Sequence, residues 1–98
     1  MAIHVEFSTI ARSEFDEAFN WYAERSTGAA IGFASEIDAA IEQISSDPER
    51  FPRTYAGCQR YVLKRYPYSV VYYKMPERII VVAIAHAKRR PGYWIFQM

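Results

Sequence analysis

Hydrophobic and polar residues change their spacing along the chain, and these changes predict where strands and helices lie. Residues 3–7 alternate apolar and polar side chains, which is the two-residue period of a strand with one buried face. Ser8 or Thr9 can cap a helix directly afterwards, because a hydroxyl accepts from the free N–H groups of a first turn. The apolar side chains of this helix recur at helical spacing, at Ala11, Phe15, Ala18, Phe19 and Tyr22.

A second helix follows closely, since Gly28 can end the first one in the left-handed conformation. It is expected to begin near Ala29 or Ala30 and to end at residues 45–47, just before Pro48. Its apolar stripe consists of Phe33, Ile37, Ala40, Ile41 and Ile44. The short connection predicts an antiparallel helical hairpin.

Three strands are predicted in the second half of the chain, because runs of β-branched and aromatic residues are separated by proline-containing junctions. They cover residues 60–64, 68–74 and 79–86. The last two are apolar on both alternating faces, which is typical of strands inside a covered sheet. A loop at residues 47–58 precedes them and is expected to pack against the body through Phe51 and Tyr55.

The order strand, helix, helix, strand, strand, strand predicts an α+β fold in one domain over residues 1–98. We expect an antiparallel-rich sheet of about four strands with the helical hairpin packed on one face. The other face is expected to be open or partly covered. Tyr61 and Leu63 suit the helix-facing core, so the alternating Arg60 and Lys64 are predicted to lie on the open face.

Charge is divided unevenly between the two halves of the chain, although the net charge is only +1. Residues 1–50 contain three arginines and ten acidic residues, whereas residues 51–98 contain nine basic residues and one acid, Glu77. A concentrated basic surface favours a polyanion or an acidic protein as the partner. The alternative is that the two halves neutralise each other within the fold.

Composition and segment lengths exclude several classes of protein. A hydrophobic content of 51% is typical of a globular chain, and no apolar run reaches the roughly 20 residues of a membrane span. The N-terminus lacks the basic start and apolar core of a secretory signal. Cys58 is the single cysteine, so no internal disulfide can form. We therefore expect a cytoplasmic protein with no membrane partner.

Metal chemistry is not expected, and neither is a cofactor. His4, His86 and Cys58 show no ligand spacing, and only one carboxylate side chain lies beyond residue 50. The sequence has no phosphate-binding glycine loop, nucleophile elbow or dinucleotide motif. The remaining chemistry is basic and aromatic, at Arg60, Lys64, Tyr66, His86, Lys88, Arg89, Arg90, Tyr93 and Trp94.

Two uses of these residues remain open. Arginine and lysine can bind phosphates while tyrosine and tryptophan stack on bases, so a metal-free ribonuclease could titrate His86 and hold the phosphate with Arg89. In the structural alternative, His86 ends a strand and forms a hydrogen bond with a backbone group. Residues 88–90 are then simply exposed to solvent where the chain leaves that strand. For other rings the structural alternative is packing, at Tyr72, Tyr73 and Trp94.

Two runs of the sequence, RYVLKRYPYSVVYY and IIVVAIAHAKRRPGYW, carry a resemblance to a known family. Their order and spacing resemble the RelE/ParE superfamily of toxins from type II toxin–antitoxin modules, above all its ParE-like, or plasmid-stabilisation, branch. The resemblance extends to the strand-helix-helix start and so covers essentially the whole chain. The matching positions are Arg60, Tyr66-Pro67-Tyr68, Tyr72 or Tyr73, His86, Arg89-Arg90, Pro91 and Trp94.

The resemblance implies a small cytoplasmic toxin of bacteria or archaea that a cognate antitoxin keeps silent. RelE-like members cut mRNA in the ribosomal A site, whereas ParE-like members poison DNA gyrase without being nucleases. The ribonuclease branch usually has an arginine at the start of the middle strand, where this chain has Ser69, while Arg89 matches its later arginine. Tyr93 is off register from the C-terminal tyrosine of that branch, and Gln97 or Met98 replaces the terminal arginine of many ParE-like chains.

The resemblance therefore favours a toxin that acts by binding, with gyrase as the expected target, over an enzyme. Its contacts with antitoxin or target are expected at Arg60, Lys64, His86, Lys88, Arg89, Arg90 and Trp94. The first alternative is a ribosome-dependent, metal-independent mRNA endonuclease that uses Arg89, Lys64, Arg60, His86 and Tyr93. The second is an inactive relic that only binds its antitoxin or forms a homodimer.

Overall fold

The computed structural model describes residues 2–97, which form two α-helices and one four-stranded sheet. The sheet order is β1-β4-β3-β2; β1 runs parallel to β4 and the other two pairs are antiparallel. Both helices pack on one face, so the predicted α+β class and element order are confirmed. The elements are β1 (His4–Phe7), α1 (Thr9–Ala23), α2 (Thr27–Ser46), β2 (Gln59–Val62), β3 (Tyr68–Lys74) and β4 (Arg78–His86).

Both helices are capped at their N-termini by serines, and the second of these serines lies before the predicted helix boundary. Ser8 caps α1 as expected, because its hydroxyl accepts from the Ala11 N–H at 3.1 Å. Ser26 caps α2 in the same way, accepting from the Ala29 N–H at 3.1 Å. The expectation that Gly28 ends α1 is therefore wrong: α1 ends at Ala23, and Gly28 lies in the first turn of α2. Ser26 has an extended backbone (φ −164°, ψ 118°), so the chain has already left the first helix before it reaches Gly28.

Phe33 lies at the centre of the core between the helices and the sheet, and it is fully buried. Its ring centroid lies 5.3 to 5.6 Å from those of Phe15, Tyr22, Tyr66 and Tyr68. Tilted and edge-on aromatic pairs at such distances contribute about 0.5–1.5 kcal/mol each beyond area burial. This cluster joins both helices to the turn between β2 and β3.

Tyr66 belongs to this core, although the sequence also offered it as a site residue. Its hydroxyl donates to the Ala29 carbonyl at 2.8 Å. A Cβ at Gly32 would lie 2.5 Å from that hydroxyl oxygen, so the absence of a side chain on α2 allows the close approach. Tyr66 therefore pins the β2–β3 turn to α2.

The face of the sheet opposite the helices is covered by a 3-10 helix at Tyr93–Gln97, which we call the C-terminal 3-10 helix. Trp94 is only 4% exposed there. The sequence indicated that the residues after His86 are basic and aromatic, but it did not predict that they fold back onto the sheet. The buried cluster on this face contains Cys58, Val71, Val82, Ala83, Ala85, Tyr93 and Trp94.

A β-bulge in β4 places two consecutive residues on the same face of the sheet. Val71 pairs with Ala83 and Tyr72 pairs with Val81, so Val82 is an extra residue. Val82 and Ala83 both pack in the cluster beneath the C-terminal 3-10 helix, while Val81 packs with the helices. The central strands therefore have two buried faces, as the sequence pattern predicted.

The loop between α2 and β2 is closed by two polar side chains that share one acceptor. The Pro48 carbonyl accepts from Gln59 Nε2 at 2.8 Å and from the Tyr72 hydroxyl at 2.5 Å. Gln59 is buried, and Nε2 also donates to the Phe51 carbonyl at 2.9 Å. Phe51 packs edge-on against Tyr61, at 4.9 Å between centroids, which confirms its predicted role in holding the loop.

The hydroxyl of Tyr72 should contribute measurably to stability. Tyr72→Phe removes its bond to Pro48 but leaves the bond from Gln59, so we expect a loss of about 1 kcal/mol of unfolding free energy. Tyr73→Phe is the matched control, since the Tyr73 hydroxyl has no partner within residues 2–97. Urea unfolding measures both; equal stability of the two variants would contradict the bond.

Stability should also fall at alkaline pH through Tyr72. Burial, with nearby Glu49 and Asp47, raises the pKa of Tyr72 from 10.0 to about 12. As pH rises, the unfolded chain therefore loses the Tyr72 proton before the folded chain does. The contribution of Tyr72 to the free energy of unfolding is fully present below the unfolded pKa, and it falls by about 1.4 kcal/mol per pH unit between about pH 10 and pH 12. Urea unfolding at about pH 9 and about pH 11 measures this loss. The free energy of unfolding should fall less between the two pH values for Tyr72→Phe than for the unsubstituted chain, and an equal fall would contradict the raised pKa.

Candidate functional site

A cleft of about 430 Å³ opens between α1 and the end of β4. β1 pairs with β4 only as far as Val81, so within residues 2–97 the remainder of β4 has no paired strand on that edge. We call this cavity the α1–β4 cleft. Two residues predicted for the site, His86 and Arg89, line it, together with Glu14, Glu17, Ala18, Trp21, Tyr22, Pro67, Tyr68 and Ile84.

His86 ends β4 and is held in one orientation. Its Nδ1 accepts from the Lys88 N–H at 3.0 Å, and its ring packs edge-on against Tyr68 at 4.9 Å. This backbone contact is the one that the structural alternative predicted. When the imidazole is neutral, the proton must then be on Nε2. Nε2 has no partner in the described part of the chain, so it is the donor that His86 can offer to a ligand.

Arg89 rests on a buried tyrosine. Its guanidinium carbon lies 3.9 Å from the ring centroid of Tyr93. The Tyr93 hydroxyl donates to Glu14 Oε2 at 2.5 Å, and burial followed by this hydrogen bond raises the pKa of Tyr93. Glu14 Oε1 accepts from the Ile84 N–H at 2.9 Å. One carboxylate on α1 therefore holds both the free edge of β4 and the ring beneath Arg89.

Sequence reasoning did not identify Glu14, Glu17 or Trp21 as site residues. Glu14 is three positions after Ala11 and four before Ala18, both fully or nearly buried, so it borders the apolar stripe of α1. An acid at the edge of an apolar stripe was the signal that could have indicated it. Nothing in the sequence identified which backbone N–H group would need the carboxylate.

Tyr93 and Trp94 hold the C-terminal 3-10 helix in place. Tyr93 is 9% exposed and its hydroxyl is already bonded to Glu14, so the structure assigns it a packing contact rather than an exposed position. Trp94 packs beside Cys58, where burial raises the pKa of the thiol and the indole N–H offsets part of that rise. Within residues 2–97 the indole nitrogen has no oxygen or nitrogen acceptor.

Arg60 and His86 lie on opposite faces of the sheet. Arg60 pairs with Val71, which packs beneath the C-terminal 3-10 helix, whereas His86 pairs with Tyr68, which packs with the helices. The concentrated basic surface that the charge distribution suggested is therefore divided between the two faces. The reason is alternation: Tyr68 and Val71 are three positions apart on one strand, so their partners must point to opposite faces.

The remaining basic residues of the predicted site are exposed. Lys64 lies beyond the end of β2, in the turn, because Glu36 of α2 accepts from its N–H at 2.6 Å and from that of Arg65 at 3.2 Å. Strand β2 is thus shorter than predicted. Lys88 and Arg90 are exposed after the end of β4.

Among the residues that the structure describes, no ion pair neutralises these basic side chains. In the part of the chain that the structure describes, the pairs join His4 to Glu6, Arg25 to Glu24 and Arg78 to Glu6. The helix acids that reach the sheet, Glu14 and Glu36, accept from backbone N–H or tyrosine O–H groups instead. The basic side chains are consequently available to a partner: Arg60, Lys64, Lys88, Arg89 and Arg90.

Neither α-helix of residues 2–97 is long and apolar enough to cross a membrane. Within the same residues, no group of three or more histidine, cysteine or acidic side chains is placed to hold a metal ion.

The comparisons with known proteins agree with this fold. The model of the family described as "ParE toxin of type II toxin-antitoxin system, parDE" matches residues 5–91. No curated protein sequence matches the chain.

Several solved structures share the architecture. A chain of the chromosomal ParDE toxin–antitoxin system from P. aeruginosa has a TM-score of 0.77 at 14% identity, covering 89% of this chain and 98% of that one. For the RelBE2 toxin–antitoxin complex from Mycobacterium tuberculosis the TM-score is 0.59 at 18% identity, with 88% and 99% covered. For a mutant of the E. coli toxin RelE in the free state it is 0.62 at 15% identity, with 90% and 86% covered. At such identities the likeness concerns the fold.

Glu14 should matter far more for stability than its neighbour Glu17. Glu14→Gln keeps one acceptor oxygen and replaces the other with an NH2 donor, so the Ile84 N–H and the Tyr93 O–H can no longer both donate to this side chain. We expect a loss of about 2 kcal/mol in the free energy of unfolding. Glu17→Gln is the control, because Glu17 is exposed and has no hydrogen bond within residues 2–97, and it should change stability by less than about 0.5 kcal/mol. Urea unfolding of both variants measures the difference; equal losses would contradict the role of Glu14.

Proposed function

Because the chain belongs to the ParE toxin family of type II toxin–antitoxin systems, we propose that it arrests growth by binding DNA gyrase and is not itself a nuclease. Members of this family are paired with a cognate antitoxin, so an antitoxin is the partner of this chain as well. We place its action in the cytoplasm, where gyrase is found.

The separation of the candidate residues is the observation that supports binding over catalysis. A metal-free ribonuclease needs a base, a cation at the phosphate and an acid, all within hydrogen-bond reach of one phosphodiester. Arg60 lies on one face of the sheet, while His86 lies on the other and lines the α1–β4 cleft together with Arg89. The Tyr93 hydroxyl is bonded to Glu14. These residues do not surround one phosphate, whereas binding requires only accessible surfaces.

The face that carries Arg60 has the features of an antitoxin-binding surface. Val62 lies two positions after Arg60 on the edge strand β2, so both side chains lie on the same face, and Val62 is 57% exposed. On the C-terminal 3-10 helix that covers this face, Ile95 is 42% and Phe96 is 92% exposed. Exposed apolar side chains supply binding energy and basic neighbours such as Lys64 steer association, so the surface suits an acidic, amphipathic segment.

Induced expression of the chain in bacteria tests the target. We expect growth to stop, the SOS response to rise and mRNA to remain intact, because gyrase poisoning breaks DNA rather than RNA. Co-expression of the antitoxin should restore growth. Cuts within mRNA codons that disappear in Arg89→Ala would instead establish the ribonuclease alternative, and unchanged growth with intact antitoxin binding would establish an inactive relic.

A pair of surface variants tests the antitoxin surface. Phe96→Asp places a charge where an apolar anchor is expected, and we predict at least about tenfold weaker binding to the product of the neighbouring reading frame. Ile31→Asp is the matched control, since Ile31 is 61% exposed on α2, away from this face. Titration calorimetry measures both affinities. Equal weakening by the two variants would mean that the antitoxin does not use the predicted face.

A further inference from the structure

We propose that the α1–β4 cleft binds an acidic side chain and an adjacent apolar side chain presented by a protein target. This inference rests on the proposed function only in taking the target to be a protein. The cleft is separate from the antitoxin-binding surface, because His86 and Arg60 lie on opposite faces of the sheet.

Two donors in the cleft are suited to a carboxylate. Arg89 is exposed and has no ion pair among the residues that the structure describes. His86 offers Nε2, because Nδ1 already accepts from the Lys88 N–H. A carboxylate accepts two or more N–H donors and forms its strongest hydrogen bonds with a guanidinium.

The Tyr93 ring makes Arg89 a prepared donor. The ring supports the guanidinium at 3.9 Å, and Glu14 fixes the ring through its hydroxyl. A guanidinium stacked on a ring face keeps its N–H edge free for a carboxylate. Less conformational freedom is lost on binding when the side chain is already held, so affinity increases. Glu14 and Tyr93 are therefore positioning residues in this proposal.

Part of the cleft wall consists of aromatic and proline rings, which suit a neighbouring apolar side chain of the target. Trp21 is 51% exposed on α1, and Tyr22, Pro67 and Tyr68 complete the wall. The volume of about 430 Å³ accommodates one or two side chains rather than a whole element. An acid next to an aromatic or aliphatic residue therefore matches both parts of the cleft.

The same cleft is poorly suited to a nucleic acid strand. Glu14 and Glu17 line it, and a strand that carries a negative charge at each phosphate would meet both carboxylates. One face of Trp21 is covered by Arg25, whose guanidinium carbon lies 3.7 Å from the ring centroid. Trp21 therefore has only one face left for stacking. A single carboxylate can instead contact Arg89 and His86 without bringing further negative charge.

Titration of the full chain with small probes, followed by NMR, tests the proposal without gyrase or antitoxin. The probes are acetyl-Phe-Asp-amide, acetyl-Phe-Asn-amide and a single-stranded RNA hexamer. We expect signals of His86, Arg89 and Trp21 to shift and saturate with the Asp peptide, and at least about fivefold weaker binding of the Asn peptide. Tighter binding of the RNA in the cleft, or equal binding of the two peptides, would overturn the proposal.

Substitutions at two exposed positions test which residues bind the Asp peptide. Arg89→Ala should weaken binding of the Asp peptide about tenfold, since a charge-assisted pair is lost. Glu42→Gln, on the exposed face of α2, is the control and should leave the affinity unchanged. An Arg89→Ala variant that binds the Asp peptide like the unsubstituted chain would overturn the assignment. Because toxicity is not measured, a failure of the gyrase proposal would not produce this result.

Discussion

Both faces of the two central strands must be covered, and the rest of the structure follows from this constraint. Strands β3 and β4 have apolar side chains on each face, and a chain of 98 residues has few segments available to bury them. The helical hairpin covers one face and the C-terminal 3-10 helix covers the other. Glu14 joins the two layers, because one carboxylate bonds both the edge of β4 and the Tyr93 hydroxyl.

The sequence predicts the layers better than it predicts the site. Periodicity correctly gave both helices, the element order and the core role of residues such as Phe33 and Leu63, since burial requires regular spacing. The residues after His86 have no periodicity, so their folding back through Trp94 depends on tertiary packing that no local pattern encodes. Whether Arg60 and His86 share a face depends on strand pairing, which local sequence does not specify.

The uneven charge of the two halves has a structural explanation. Two acids of the helical half, Glu14 and Glu36, reach the sheet and accept from backbone N–H groups at an uncovered edge and a turn. Such groups are costly to bury without a partner, so a carboxylate there stabilises the fold without neutralising any basic side chain. The basic residues near the strand ends consequently keep their charge for recognition.

The C-terminal 3-10 helix contacts both proposed binding regions. Phe96 projects from it on the antitoxin side, while Tyr93 of the same short segment supports Arg89 at the cleft. Phe96 follows Tyr93 by only three positions in this five-residue helix. An antitoxin bound at Phe96 would therefore lie within one helical turn of the ring on which Arg89 rests. The C-terminal 3-10 helix is thus the structural connection between the two proposed sites, and Glu14 holds it in place through the Tyr93 hydroxyl.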